Sequence, residues 1–385
     1  MIDFSTLQGL AIPEGVVTQI EDASGRVIWM LKSGNKVVLQ VEKITSDTYA
    51  GETTYTGEQF ILLDIYPKTN GTVSVTYGGL TKTITDTSGA EKPNAQNVFF
   101  GTFNGVSDSV ATPTSGELTI EGDCAGFGWG TYAQDNNFKK SMSCCCVTAI
   151  DDVGVVVDIP ASAFMVTNSL GDAYKKKLKK VTLKDGVESI GEKAFANCTG
   201  IEQMTIPDSV VYIPPDVFTA YNNLNLNGDF LTINEGNPNY CFKGNCLITK
   251  TDNKMIFGFS NAVIPDGVKT IGSKACKNIL AMAENFVIPE GVETIEDEAF
   301  YSSKGITDLT LPSSLTYIGL SGCYCSAVRI VVHATTPPTI NGGDNNAYAF
   351  DKSEVEKITV PKGCGSAYKV AYGWKNFESV IVEAT

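Results

Sequence analysis

A single histidine limits the chemistry open to this chain. His333 lies in the run RIVVHATTPP, and any Ser–His or Cys–His nucleophile would have to use it. Cys325 stands eight residues earlier, so spacing alone makes a thiol–imidazole dyad conceivable. Alternation along the run predicts instead that His333 sits in a strand, structural or facing solvent. Metal binding by thiols needs C-x-x-C pairs or supporting histidines. The eleven cysteines offer adjacent Cys144, Cys145 and Cys146, the pair Cys323 and Cys325, and Cys241 with Cys246. Cys276 stands where comparable segments carry Phe195 and Phe300, which reads as free cysteine used as a small hydrophobe. Zinc or a disulfide is the competing reading. GFGWG at 126–130 lacks the lysine of a phosphate loop and reads as a turn. Asp344 with Asn345 and Asn346 fits either a calcium loop or a plain Gly-Gly-Asp-Asn bend. The expectation is no catalytic residue, no metal and no cofactor.

The elements that would hold such groups are written in a repeat. VIPEGVETIEDEAF (287–300) recurs as TIPDSVVYIPPDVF (205–218) and VIPDGVKTIGSKAC (263–276). TLPSSLTYIGLSGC (310–323) is a degenerate copy, and TLKDGVESIGEKAF (182–195) opens the series without its proline. Pro265, Pro289 and Pro312 are spaced by 24 and 23 residues. Between Pro207 and Pro265 the period is extended by an insert of about 35 residues. A fixed period in the twenties predicts a solenoid, in which each unit buries its apolar side against its neighbours. Such a fold offers a surface rather than a pocket.

Within one unit, Leu309 and Leu311 alternate with Asp308 and Thr310, the period of a half-buried strand. Pro312 ends the strand by removing a ladder donor. Leu315 and Ile318 then turn inward, and Gly319 permits the next bend. Val181 and Leu183, Met204 and Ile206, and Phe286 and Ile288 occupy the same inward positions. With strands ~4.8 Å apart, a handful of coils would make a rod roughly 25–30 Å long.

These residues resemble the BspA-type leucine-rich repeats of surface proteins from gut and oral bacteria, over about residues 175–385. The insert 231–260, with Asn-Pro-Asn-Tyr and a Lys-Thr-Asp-Asn tip, looks like that family's hairpin island. The tail VVHATTPPTI…ITVPKGCGSAYKVAYGWKNF is similar to its usual terminus, a Thr-Pro-Pro turn, a last strand and a short helix. Tyr368, Ala371, Trp374 and Phe377 would close the end of the stack. An Asn ladder of the ordinary leucine-rich repeat is missing. The resemblance implies a fold far more than a function.

The first part of the chain is different material. Short β-type runs (NKVVLQVEKI, QFILLDIYP, GTVSVTYGGLTKTIT, NVFFGTFNGV, GELTIEG and VGVVVDIP) alternate with Gly, Asn, Ser and Pro clusters. That spacing predicts a small antiparallel sandwich. It resembles the immunoglobulin-like modules of phage virion and bacterial surface proteins. GLAIPEGVVTQIEDASGRVIW has an Asp-Ala-Ser-Gly turn between apolar runs and predicts a hairpin. It looks like the attachment segment of phage structural proteins, although IPEGVVTQIED also echoes the repeat at 288–297. The expected fold is therefore mainly β. An N-terminal attachment hairpin (1–35) and an immunoglobulin-like β-sandwich (36–174) precede the solenoid (175–385), with its island at 226–260 and cap at 352–385.

A formal charge of −14 argues against electrostatic binding of nucleic acid or anionic lipid. The basic run YKKKLKK (174–180) reads as a solvated edge that discourages strand pairing, with a polyanion contact as the rival. No run reaches membrane-spanning length. The opening residues carry no basic, apolar or cleavage-site pattern of a signal peptide. So many loose thiols would suit a secreted fold poorly, which points to folding in a reducing cytoplasm. A surface-type protein made there leaves by assembly into a virion and lysis.

Strand positions pointing away from the core supply the candidate binding face. They are Lys180 and Thr182, Gln203 and Thr205, Asn285 and Val287, Asp308 and Thr310, and Lys357 and Thr359. Short hydroxyls and amides beside a few charges suit glycan or protein contact through many modest hydrogen bonds. Threonine is also favoured on exposed strands for backbone reasons alone. Tyr212 and Tyr317 could add stacking or simply pack on the next coil. The expected function is a non-enzymatic phage virion component, in a tail fibre, baseplate or capsid decoration, that recognises a bacterial surface glycan or protein. Its N-terminal segment would bind other virion proteins, and a homo-oligomer is compatible with the pattern. The alternatives are a BspA-like bacterial adhesin and a wall-polysaccharide hydrolase, the last requiring paired carboxylates in a cleft.

Overall fold

The structure, a computed structural model, describes residues 19–21, 27–30, 36–41, 60–90, 94–103, 106–107, 115–129, 131–134, 137–140, 147–152, 156–166, 178–218, 228–341 and 348–385. Cys144 to Cys146 and Asp344 to Asn346, with their candidate thiol and calcium readings, lie outside these residues. The fold is mainly β, a strand-rich solenoid closed by a short C-terminal helix. In the coils that begin at Lys180, Asn285, Asp308 and Arg329, one strand joins a broad face and a two-residue strand joins a lateral face.

The repeat is visible in one recurring turn. The amide of Val210, Val268, Val292 or Leu315 donates to the carbonyl of the proline three residues earlier, at 3.3–3.4 Å. In the copy without proline, Val187 donates to Lys184 at 3.3 Å. Proline therefore fixes φ for a turn that other residues can also make. The same valines and leucine are buried, as are Ala194, Ala275 and Ala299 on the opposite side of the coil. Serines tie coils together: Ser314 Oγ accepts from Gly291 N (2.9 Å) and donates to Val292 O (2.8 Å). Ser209 does the same for Gly186 and Val187.

Among the described residues, one sheet has eight strands and crosses from the N-terminal module into the solenoid. Val147–Asp152 is its pivot, antiparallel to Lys36–Val41 and parallel to Lys180–Thr182. Gly116–Gly122, Thr72–Tyr77 and Leu80–Thr85 extend the sheet on one side, Gln203–Ile206 and Leu231–Ile233 on the other. Leu118, Leu39, Ile150, Val181, Met204 and Leu231 pair in turn and are all buried, so one apolar row runs through both modules. Each such side chain contributes about 1.5–3 kcal/mol on burial. A second sheet, Cys124–Trp129, Phe60–Pro67, Gln96–Phe103 and Val106–Ser107, faces the first across Tyr77 and Phe100 (ring centroids 5.8 Å). Lys82, on the edge strand, points inward with its ammonium 3.8 Å from the Phe99 ring centroid and blunts that edge. Gln19–Glu21 and Val27–Met30 pair antiparallel.

The expectation of a turn at GFGWG is corrected: Cys124–Trp129 is a strand lying on the first coil. Trp129 N donates to Ala163 O at 2.7 Å, and Val157 N to Ala125 O at 3.0 Å. A Cβ at Gly126 would stand 2.6 Å from Asp158 O, so glycine here marks backbone contact rather than a bend. From Trp129 an aromatic spine passes to Phe164 (5.0 Å), Phe195 (5.3 Å) and Phe218 (6.2 Å), then to Phe259 (5.6 Å). Tyr240–Lys243, Cys246–Thr249 and Lys254–Gly258 form the island, and the last joins the lateral sheet parallel to Thr270–Ile271. Tyr368, Trp374 and Phe377 are buried under the C-terminal end, and Tyr368 Oη and Trp374 Nε1 donate to Ala334 O and Pro338 O.

Candidate binding surface

Of the ten outward strand positions, four lie on the long sheet and six on the C-terminal sheet. Lys180 pairs with Gln203 and Thr182 with Thr205, and Thr232 continues the second column. Asn285, Asp308 and Lys357 belong to the C-terminal sheet, where Arg329 fills the place between the last two. Beside them run Val287, Thr310, Val331, Thr359 and Val382. Between the sets the island interrupts the ladder. Lys180, Gln203, Asn285, Val287 and Lys357 are exposed, while Thr182, Thr205, Asp308, Thr310 and Thr359 are half-buried by their column neighbours. Arg329 and Val331 escaped sequence reading because RIVVHATT lacks the proline that marks the other strands. Their alternation with buried Ile330 and Val332 was the available signal.

Two of the charges on the C-terminal set, Asp308 and Arg329, pair with each other. Arg329 Nε and Nη2 fork onto Asp308 at 2.5 and 2.7 Å. The guanidinium holds the Asp308 carboxyl below its ordinary range, and the carboxylate raises Arg329 in turn. At this exposure the pair orders the surface and adds little stability. Elsewhere, Lys179 of the basic run meets Glu202 at 2.6 Å. Tyr212 is 52% exposed on the lateral face, and Tyr317 pairs in that sheet with Thr294 and Thr339.

The expected catalytic candidates do not converge. His333 is exposed at the end of the strand Arg329–Val332, whereas Cys325 is buried. Among the described residues no group of three His, Cys, Asp or Glu could hold a metal ion. A general acid needs a raised carboxyl pKa. Asp86, Glu290, Asp308 and Glu383 are all shifted down, chiefly by hydrogen bonds from Ser88, Ser313, Arg329 and Gly363 respectively.

Parallel coils with a closed apolar core and polar strand faces define a repeat protein of the leucine-rich class. Six copies of the BspA type leucine rich repeat region match residues 156–256 and 238–378, more than half of the chain, which belongs to that family. A leucine-rich repeat protein from Eubacterium ventriosum is 17% identical over 56% of this chain and 62% of its own, with a TM-score of 0.35. The pneumococcal vaccine antigen PcpA is 17% identical over 61% and 65%, with a TM-score of 0.36. A leucine rich cell surface protein from Faecalibacterium prausnitzii is 18% identical over 66% and 86%, with a TM-score of 0.30. The chain spans less than two thirds of the length of the first two. No curated protein matches it.

The expectation of a virion component, made of phage structural parts and located in a particle, is corrected here. The solved proteins with these repeats are bacterial, one described as a cell surface protein, and no virion or immunoglobulin-like likeness accompanies them. The thiol argument behind that expectation also fails on physical grounds. Cys124, Cys198, Cys246, Cys276, Cys323 and Cys325 are buried. Cys198 Sγ lies 3.1 Å from Phe164 O and Cys124 Sγ 3.3 Å from Gly126 O. Packed thiols of this kind behave as small hydrophobes and do not report a reducing compartment.

Proposed function

We propose that this protein is a bacterial cell-surface adhesin that holds a protein or glycan partner on its exposed strand faces. The observation that carries this reading is the ladder Asn285, Asp308, Arg329 and Lys357 beside Val287, Thr310, Val331 and Thr359. It offers donors, acceptors and short apolar groups at a fixed interval of about 4.8 Å. Lys180, Thr182, Gln203 and Thr205 supply a second such patch on the long sheet. An extracellular location fits the buried state of six of the eight described cysteines. We read residues 36–174 as the module that starts the stack, their two facing sheets being the feature they share with an immunoglobulin-like sandwich.

Beads coated with the full chain test the reading against intact gut bacteria, mucin and cultured epithelial cells. Saturable retention above albumin-coated beads on at least one surface is the expected result. Retention no better than albumin on all three overturns it.

A further inference from the structure

On the long sheet the column of Thr182 and Thr205 continues into the N-terminal module as one outward row. Thr205 pairs with Thr182 and Thr232, and Thr182 with Asp151. Asp151 pairs with Val38 of the N-terminal module, Val38 with Thr119, Thr119 with Thr76, and Thr76 with Thr81. Partners in register point to the same side of a sheet, and every residue of this row is exposed or half-buried. Eight strands at about 4.8 Å put its ends about 34 Å apart. Six of the eight positions are threonine, one is valine, and one carries a charge. Where the row reaches the edge hairpin its hydroxyls touch, Thr76 Oγ1 to Thr81 Oγ1 at 2.9 Å, and the next row repeats the contact between Ser74 and Thr83 at 3.4 Å.

We propose that this row is a binding track for an extended, uncharged polysaccharide lying across the strands of both modules. The proposal deepens the adhesin reading and rests on it. Each threonine hydroxyl can donate once and accept twice, which matches sugar hydroxyls that do the same, and its methyl group offers apolar contact to ring carbons. Charge selects among polymers. The chain carries −14, and the one charge on the row is the Asp151 carboxylate, so a polyanion is repelled. A protein partner would look for aromatic or arginine anchors in a dry centre, and the row has neither. The match between hydroxyls on six of eight successive strands and a polymer of repeating hydroxyls is what a scattered threonine surface would lack.

The full chain is tested by depletion onto insoluble cellulose, chitin, mannan and starch, with alginate gel and gelatin as acidic and protein probes. Binding to at least one neutral polysaccharide is expected. Thr119→Val, in the N-terminal module, and Thr205→Val, four strands away in the solenoid, keep the β-branched shape and remove one hydroxyl. Each should weaken binding several-fold, and Thr119→Lys and Thr205→Lys by tenfold or more, with thermal melts showing that the variants fold. Thr339→Val, exposed on the lateral sheet and outside both binding patches, should change nothing. Loss confined to Thr205 or Thr339 variants overturns the shared track, and retention only on alginate or gelatin overturns the neutral ligand. Beads that hold to cells while no neutral polysaccharide binds sink this proposal and spare the adhesin reading. Beads that hold to nothing sink both.

Discussion

Asn237 Nδ2 donates to the carbonyl of Pro207 at 2.8 Å, and through this contact the island is fastened to the preceding coil. Asn237 is fully buried, and its Oδ1 accepts from the amides of Asn239 and Tyr240 at 2.9 and 2.8 Å. Tyr240 Oη then accepts from Ile213 N and donates to Val211 O. Replacing Asn237 with Ala strands several buried groups at once, each costing about 1–3 kcal/mol. A loss of at least about 2 kcal/mol in urea unfolding is expected. A change below about 0.5 kcal/mol would mean that the island is held by its aromatic contacts instead.

Phe195 lies between Phe164 and Phe218, with centroids 5.3 and 6.2 Å away, so it couples the first coils of the stack. Phe195→Ala should cost about 3–5 kcal/mol. Because each coil is stabilised by its neighbours, the cost falls on a junction, and cooperativity should suffer with it. Fluorescence reports both sides, Trp129 before this point and Trp374 under the C-terminal cap. Followed in proteins that keep only Trp129 or only Trp374 of the three tryptophans, a parent in which the two melt together and a Phe195→Ala variant in which Trp129 melts first are the expected pair. A single unchanged transition in the variant would show that the spine carries no coupling.

Acid should loosen the C-terminal end. Glu383 accepts from Gly363 N at 2.9 Å and Gly365 N at 2.8 Å, which holds its carboxyl below the ordinary range. A depressed native pKa stabilises fully above the unfolded value, about 4.3, and that stability is lost as pH falls through the native value. Glu290, bound by Ser313, and Asp308, bound by Arg329, act in the same direction. The melting temperature should stay level from neutrality to about pH 5 and decline below about pH 4. In Glu383→Gln that decline should be shallower, and an equal slope in both proteins would remove Glu383 from the account.

Much of this architecture was legible because proline and alternation mark the same places that the backbone uses. The outward positions Asn285, Asp308 and Lys357 were readable since Phe286, Leu309 and Ile358 beside them are apolar and buried. Two features were not. Val147–Asp152 has a weak apolar pattern and sits after three cysteines, yet it is the strand that joins the modules. Gly126 and Gly128 suggest flexibility in a sequence, and only the nearby first coil shows that their missing side chains make room for Asp158 and Ala163. The distribution of the outward positions over two sheets depends on where the island re-enters the stack, a long-range matter that strand spacing does not encode.

The buried thiols make the last prediction. Desolvation pushes Cys246 up to about 12 and Cys325 to about 11, and it holds Cys276 and Cys323 well above the ordinary thiol range. At pH 8 the thiolate that reacts with an alkylating agent is on the order of one part in ten thousand for Cys246. Cys364 and Cys241 are only half-buried. Brief iodoacetamide treatment of the native protein, followed by peptide mapping, should label Cys364 and Cys241 before Cys246, Cys276, Cys323 or Cys325. In urea the six should react alike. Unfolded thiols ionise near pH 8.5 while these native ones do not, so the unfolded chain binds fewer protons and stability should fall as pH climbs past that value. Early labelling of Cys246 or Cys276 would show that the core opens readily, and with it would go the argument that this protein tolerates an oxidising exterior.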